Sequence, residues 1–112
     1  MNTWLASFQE ESGSALHEYH MLLKGASLPL AEAACNQLGE AWWYPERPFA
    51  TQGCYWQFDR GCAWLNSIVL LDERQAGLLS ALRFLDEWVV TGTPDAPLVS
   101  DPAGNRWQDC RR

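Results

Sequence analysis

Apolar and polar residues alternate along the chain in short periodic runs, and each run predicts one element. Trp4, Leu5 and Phe8 fit one helical face behind a capping Asn2 or Thr3. Leu16, Tyr19 and Leu23 recur at +3 and +7, again helical spacing, with Gly25 placed to terminate the turn. Together they predict helix over about 3–24, interrupted at Ser12-Gly13-Ser14, with a strand over 17–23 as the alternative. Ser27 followed by Pro29 and an alanine-rich run predicts a second helix over about 28–39, ending at Leu38-Gly39.

Residues 50–58 and 62–71 have strand character, and Asp59-Arg60-Gly61 between them suits a type I turn with a glycine bulge. That turn sets Phe58 opposite Cys62, Trp56 opposite Trp64 and Cys54 opposite Asn66. One inner face then carries Cys54, Trp56, Phe58, Cys62, Trp64, Ile68 and Leu70, while Tyr55, Gln57, Leu65 and Val69 face the other way. A partly apolar second face suggests a homodimer through the sheet.

Asp72 with Gln75 has capping-box spacing. Leu78, Leu82, Leu85 and Val89 follow as a buried stripe, predicting helix over about 72–89. Asp101-Pro102-Ala103-Gly104 is a turn signal that joins a last hairpin over about 97–109. The sum is an α+β fold over one domain, 1–112. Its antiparallel sheet is built from two β-hairpins (about 50–71 and 97–109) packed on two to three helices.

Composition narrows the function classes. A chain of 112 residues can bury a core without staples. Its formal charge of -6 comes from scattered acids, and its 8 Lys and Arg form no stripe. Nucleic-acid phosphate and anionic membrane would repel it, whereas a basic protein would be attracted. No apolar run is long enough to span a bilayer, and Met1–Glu11 has neither a basic nor a long apolar signal region. The cytoplasm is therefore expected, with Cys35, Cys54, Cys62 and Cys110 reduced.

No pair of cysteines is spaced Cys-x-x-Cys, so neither zinc nor a redox pair is indicated. His17 and His20 would share a helical face, but two ligands do not make a metal site. No nucleophile has a base and an orienting group in view, and no phosphate-binding glycine pattern is present. No cofactor and no catalytic residue is assigned.

What stands out is aromatic content, with 7 Trp, 4 Phe and 3 Tyr. Trp42, Trp43, Tyr44, Glu46, Arg47 and Phe49 lie around two prolines in a stretch that cannot be regular helix. Trp, Tyr and Arg are enriched at binding hot spots, and prolines lower the entropy lost on ordering. These residues are the candidate binding site. The function expected is a small, acidic, non-catalytic protein-binding module, an inhibitor of a basic nuclease-type partner in the manner of immunity or phage anti-defence proteins. The alternatives are a small-molecule-binding domain or minor enzyme with a pocket of Trp42, Trp43, Trp56 and Trp64, and a structural homodimer.

Overall fold

The computed structural model describes residues 1–43 and 47–107, with the backbone alone at Ala41 and Trp42. The chain forms an α+β fold around a seven-stranded mixed sheet with two helices.

The first 25 residues are a long hairpin instead of a helix. β1 (Asn2–Ser12) pairs antiparallel with β2 (Ala15–Gly25) in unbroken register, Trp4 opposite Leu23 and Phe8 opposite Tyr19. Trp4, Ala6, Phe8 and Glu10 are buried in strict alternation. That period of two outweighs the three residues that also fit a helical face. Gly13, at φ 62°, makes the turn that the sequence suggested as a helix kink.

α1 (Leu28–Trp42) begins as expected: the Ser27 hydroxyl accepts from the Leu30 amide at 3.3 Å, and Pro29 sits in the first turn. It runs past Gly39, so that glycine is no terminator. A Cβ there would overlap the indole of Trp56, so Gly39 is the point where helix backbone touches the sheet's side chains. Leu30, Ala31, Ala34, Cys35 and Leu38 bury the helix on the inner sheet face.

β4 (Tyr55–Phe58) and β5 (Gly61–Leu71) form the expected antiparallel hairpin in a different register, and the expected first strand is split, with β3 (Ala50–Thr51) pairing on β4 as a third strand. The turn holds two residues, Asp59-Arg60, and Gly61 opens β5 opposite Phe58. Gly61 belongs to the strand because its Cα abuts the Glu11 carbonyl of β1, where a Cβ has no room. Tyr55 therefore faces Trp64, and Gln57 faces Cys62. Trp56 and Phe58 point inward as expected, but Cys62 and Trp64 point outward. The β1–β5 register then shifts between Ser7 and Phe8, with Asn66 as the extra residue. This bulge restores Ile68 to the inner side, where it packs against the core.

α2 (Glu73–Leu82) carries the expected capping box: Asp72 accepts from the Gln75 amide at 2.7 Å, and the Gln75 side chain accepts from the Asp72 amide at 3.1 Å. The helix stops at Leu82, seven residues early, and the leucine stripe is not buried. Leu78 and Leu82 are 63% and 55% exposed. β6 (Asp86–Thr93) takes over, burying Trp88 and Val90 alternately and running parallel to β2. β7 (Ala96–Ser100) returns antiparallel to it. The second hairpin is thus 86–100. The Asp101 turn forms, with its carboxylate accepting from the Ala103 and Asn105 amides, but it leads to a single bridge between Ser100 and Arg106.

The strand order is β3-β4-β5-β1-β2-β6-β7, antiparallel throughout except between β2 and β6. The sheet is one connected layer, not two separate hairpins. α1 covers its inner face. α2 crosses only one end of the outer face, against β1 and β5.

Candidate functional site

Because α2 covers one end only, the outer face of β4, β5, β1 and β2 stays open toward the turns at Gly13 and Asp59. Alternation sends Tyr55, Trp64, Gln9, Glu11 and Glu18 to this face. Tyr55 and Trp64 are direct cross-strand partners, with ring centroids 6.1 Å apart and planes 24° from parallel. Tyr55 is 38% exposed and Trp64 half-buried. Such a cross-strand pair is stiff, since each ring is fixed by backbone pairing and by the other ring.

Polar groups surround the pair. Gln9 lies opposite Trp64 and donates to Glu18 at 3.3 Å. Glu11 lies opposite Cys62, within electrostatic reach of the Tyr55 phenol. A hydrogen bond with the Cys62 thiol pushes the Tyr55 phenol up, and the Glu11 charge acts in the same direction. His20 follows along β2, its Nδ1 2.8 Å from the Ser7 hydroxyl and its Nε2 3.7 Å from Glu18. The face thus carries a rigid aromatic pair, two exposed carboxylates and hydrogen-bonding side chains. On its β3 side a shallow groove of about 150 Å³ runs past Ala50, Gln52 and Gln57 to Tyr55.

The sequence-selected loop is only partly brought to this surface. Trp42 ends α1 and Trp43 caps it. Trp43 packs on Phe8 at 5.4 Å and on Tyr19 at 4.9 Å, so it covers the edge of the core. Tyr44 and Glu46 lie outside the described residues. Arg47 is exposed, and Phe49 is 68% exposed. The Phe49 amide donates to the Gln57 carbonyl at 2.8 Å, which anchors this end of the loop to β4. Phe49 directly precedes Ala50, the first residue of the groove wall.

Of the tryptophans expected to line a pocket, the three whose side chains are described do not converge on one place. Trp56 is fully buried inside, Trp64 is across the sheet from it, and Trp43 is at the core edge. His17 and His20, set on a strand, point to opposite faces instead of sharing one. Among the described residues no three His, Cys, Asp or Glu side chains gather as metal ligands. Cys35, Cys54 and Cys62 are free thiols. Burial raises the pKa of Cys35 strongly, and burial with the nearby Glu32 raises that of Cys54, so both are poor nucleophiles. No described helix is long and apolar enough to cross a membrane.

The Tyr55–Trp64 pair was missed because a three-residue turn places Trp64 inside. The signal that finds it is Gly61: read as the first strand residue, it shifts the count by one. No protein-family model, curated protein or solved structure matches this chain.

Proposed function

We propose that this protein is a non-catalytic binding module that docks a basic protein through its open outer sheet face. Tyr55 and Trp64 are the anchor, Glu11 and Glu18 the charged rim, and the exposed Phe49 and Arg47 are further candidate contacts. Trp42, Tyr44 and Glu46 stay candidate contacts on sequence grounds alone. The observation that supports this best is the stacked, partly exposed Tyr55–Trp64 pair at the end of the outer sheet face that α2 leaves open. Rigid aromatics lose little entropy on binding, and a handful of such residues carries most of an interface's energy. The net charge of -6 would steer a basic partner toward the module and make association salt-dependent. Inhibition of a basic nuclease-type enzyme in the cytoplasm fits this chemistry.

The test starts from a partner captured from host extract, identified, purified and titrated with the variants. Trp64→Ala should weaken binding by about 2 kcal/mol, roughly thirtyfold, through faster dissociation. Glu11→Lys should slow association and flatten its salt dependence. Unchanged affinity in both variants, with the fold intact, refutes the docking face.

A second reading, a homodimer, rests on β5. β4 pairs with it only as far as Trp64, leaving residues 66–71 an edge that holds no charge and no proline. Antiparallel pairing of two such edges about a twofold axis would be self-complementary. Sedimentation at two concentrations decides it: a constant monomer mass removes this reading.

A further inference from the structure

A separate feature lies at the other end of the same face, where α2 stands off the sheet. The cleft between them has a volume of about 700 Å³. Its walls come from distant parts of the chain: Thr3 of β1, Lys24 of β2, Ser80 of α2, Arg83 and Leu85 after it, and Glu87 of β6. The fold, not local sequence, assembles this set.

Two cations and one carboxylate make the cleft net positive in a chain of charge -6. The carboxylate is already engaged. Ser80 donates its hydroxyl to Glu87, and the Lys24 ammonium lies 3.9 Å from it. Glu87 thereby holds Lys24 in place while its own charge is largely offset. Arg83 differs: among the described residues it has neither an ion pair nor a side-chain hydrogen bond.

The backbone at Arg83 is a second, independent observation. It caps α2 in the left-handed conformation, at φ 57°, and is the one non-glycine residue with positive φ among those described. Glycine is the usual residue at this place, because a Cβ there strains the backbone. An arginine on strained backbone, at the lip of a cleft and without a partner, is best explained by what its side chain does there.

We propose that this cleft binds a small organic anion, a carboxylate or phosphate group on a short apolar body. The Arg83 guanidinium takes the anionic oxygens in bidentate fashion, and the Lys24 ammonium, its charge shared with Glu87, offers further N–H donors. Thr3 offers a hydroxyl donor, and Leu85 with the alanines of α2 faces the apolar part. This site lies at the opposite end of the face from the Tyr55–Trp64 pair and does not depend on it.

The test uses the full-length chain and amide chemical-shift titrations at constant ionic strength. The probes are inorganic phosphate, phenyl phosphate, butyrate and, as control, chloride. At least one organic probe should give saturable shifts confined to the cleft, with a Kd of order 1 mM, as suits a ligand of few atoms. Phenyl phosphate above butyrate assigns a phosphate ligand, and the reverse a carboxylate. Arg83→Gly should weaken that binding at least tenfold while raising Tm, because it removes the guanidinium and the strain together. Lys24→Met, which leaves that backbone untouched, should weaken binding severalfold. The proposal is overturned by shifts that do not saturate, by shifts spread over other surface cations, by inorganic phosphate or chloride alone binding, or by an Arg83→Gly protein that binds as the wild type does.

Discussion

The contact between α1 and the sheet can be tested with one methyl group. Gly39 is buried in the last turn of α1, and a Cβ built on it overlaps three atoms of the Trp56 indole, Cε2, Cζ2 and Cη2. Trp56 is fully buried and leans on Phe8, with centroids 6.2 Å apart, so the ring has no free direction to yield. In an open helix Gly→Ala stabilises by about 1 kcal/mol. Overpacking a core costs about 1–3 kcal/mol, and overlap with a closed-in ring belongs at the upper end. The sum for Gly39→Ala is a loss of about 1–2 kcal/mol. Gly77 in α2 is the internal control, because a Cβ there meets nothing within 4 Å. Gly77→Ala should gain up to about 1 kcal/mol. The same substitution in two helices thus differs in sign, by about 2–3 kcal/mol in all. Urea unfolding followed by tryptophan fluorescence measures both, with the midpoints compared at equal m-value. In thermal melts the gap would be on the order of 10 °C for a chain of this size. A Gly39→Ala protein as stable as Gly77→Ala would mean that helix and Trp56 are not in contact, and the inner-face packing would be wrong.

Two further outcomes follow from single residues. Asp72→Ala removes one half of the capping box and orphans the Gln75 amide, so it should cost about 1 kcal/mol in denaturant melts; a neutral result would remove the box. Burial raises the Cys35 thiol in the native state, whereas the unfolded thiol titrates near pH ~8.5. Above that pH the unfolded chain releases a proton that the native chain keeps, so stability is full below it and falls as pH rises. Tm should decline between about pH 8 and 10, and Cys35→Ala should flatten that decline, while an identical slope in both proteins contradicts the buried thiol.

Signals that act within four residues were legible in the sequence. Ser27 caps α1, Asp72 and Gln75 close their box, and Asp101 organises its turn, because each depends on one side chain reaching a nearby amide. Pairings between distant segments were not. Trp4, Leu5 and Phe8 fit a helix and a strand almost equally well. The choice falls to strand because β5, some 60 residues away, pairs with β1 along nearly its whole length. Leu78, Leu82 and Leu85 misled in the opposite sense, since the helix that carries two of them turns that face to solvent. There the alternation of Trp88 and Val90 beside β2 prevails.

The candidate site depends on the smallest of these differences. The tryptophans are one set in composition, but the sheet divides those with described side chains into three groups in space. Trp4, Trp56, Trp88 and Trp107 are buried, Trp43 lies at the core edge, and Trp64 stands outside. One residue decides the place of Trp64: Gly61 counts with the strand, not with the turn. Strand period is two, so a shift of one exchanges core for surface over the following residues. The bulge at Asn66 then reverses the exchange, which keeps Ile68 in the core while Trp64 stays out. Without the bulge, β5 would have to turn Ile68 outward or Trp64 inward. The two irregularities together let one strand serve the core at one end and present an aromatic anchor at the other. The open face is therefore a consequence of register, and it is legible only once the partner strands are known.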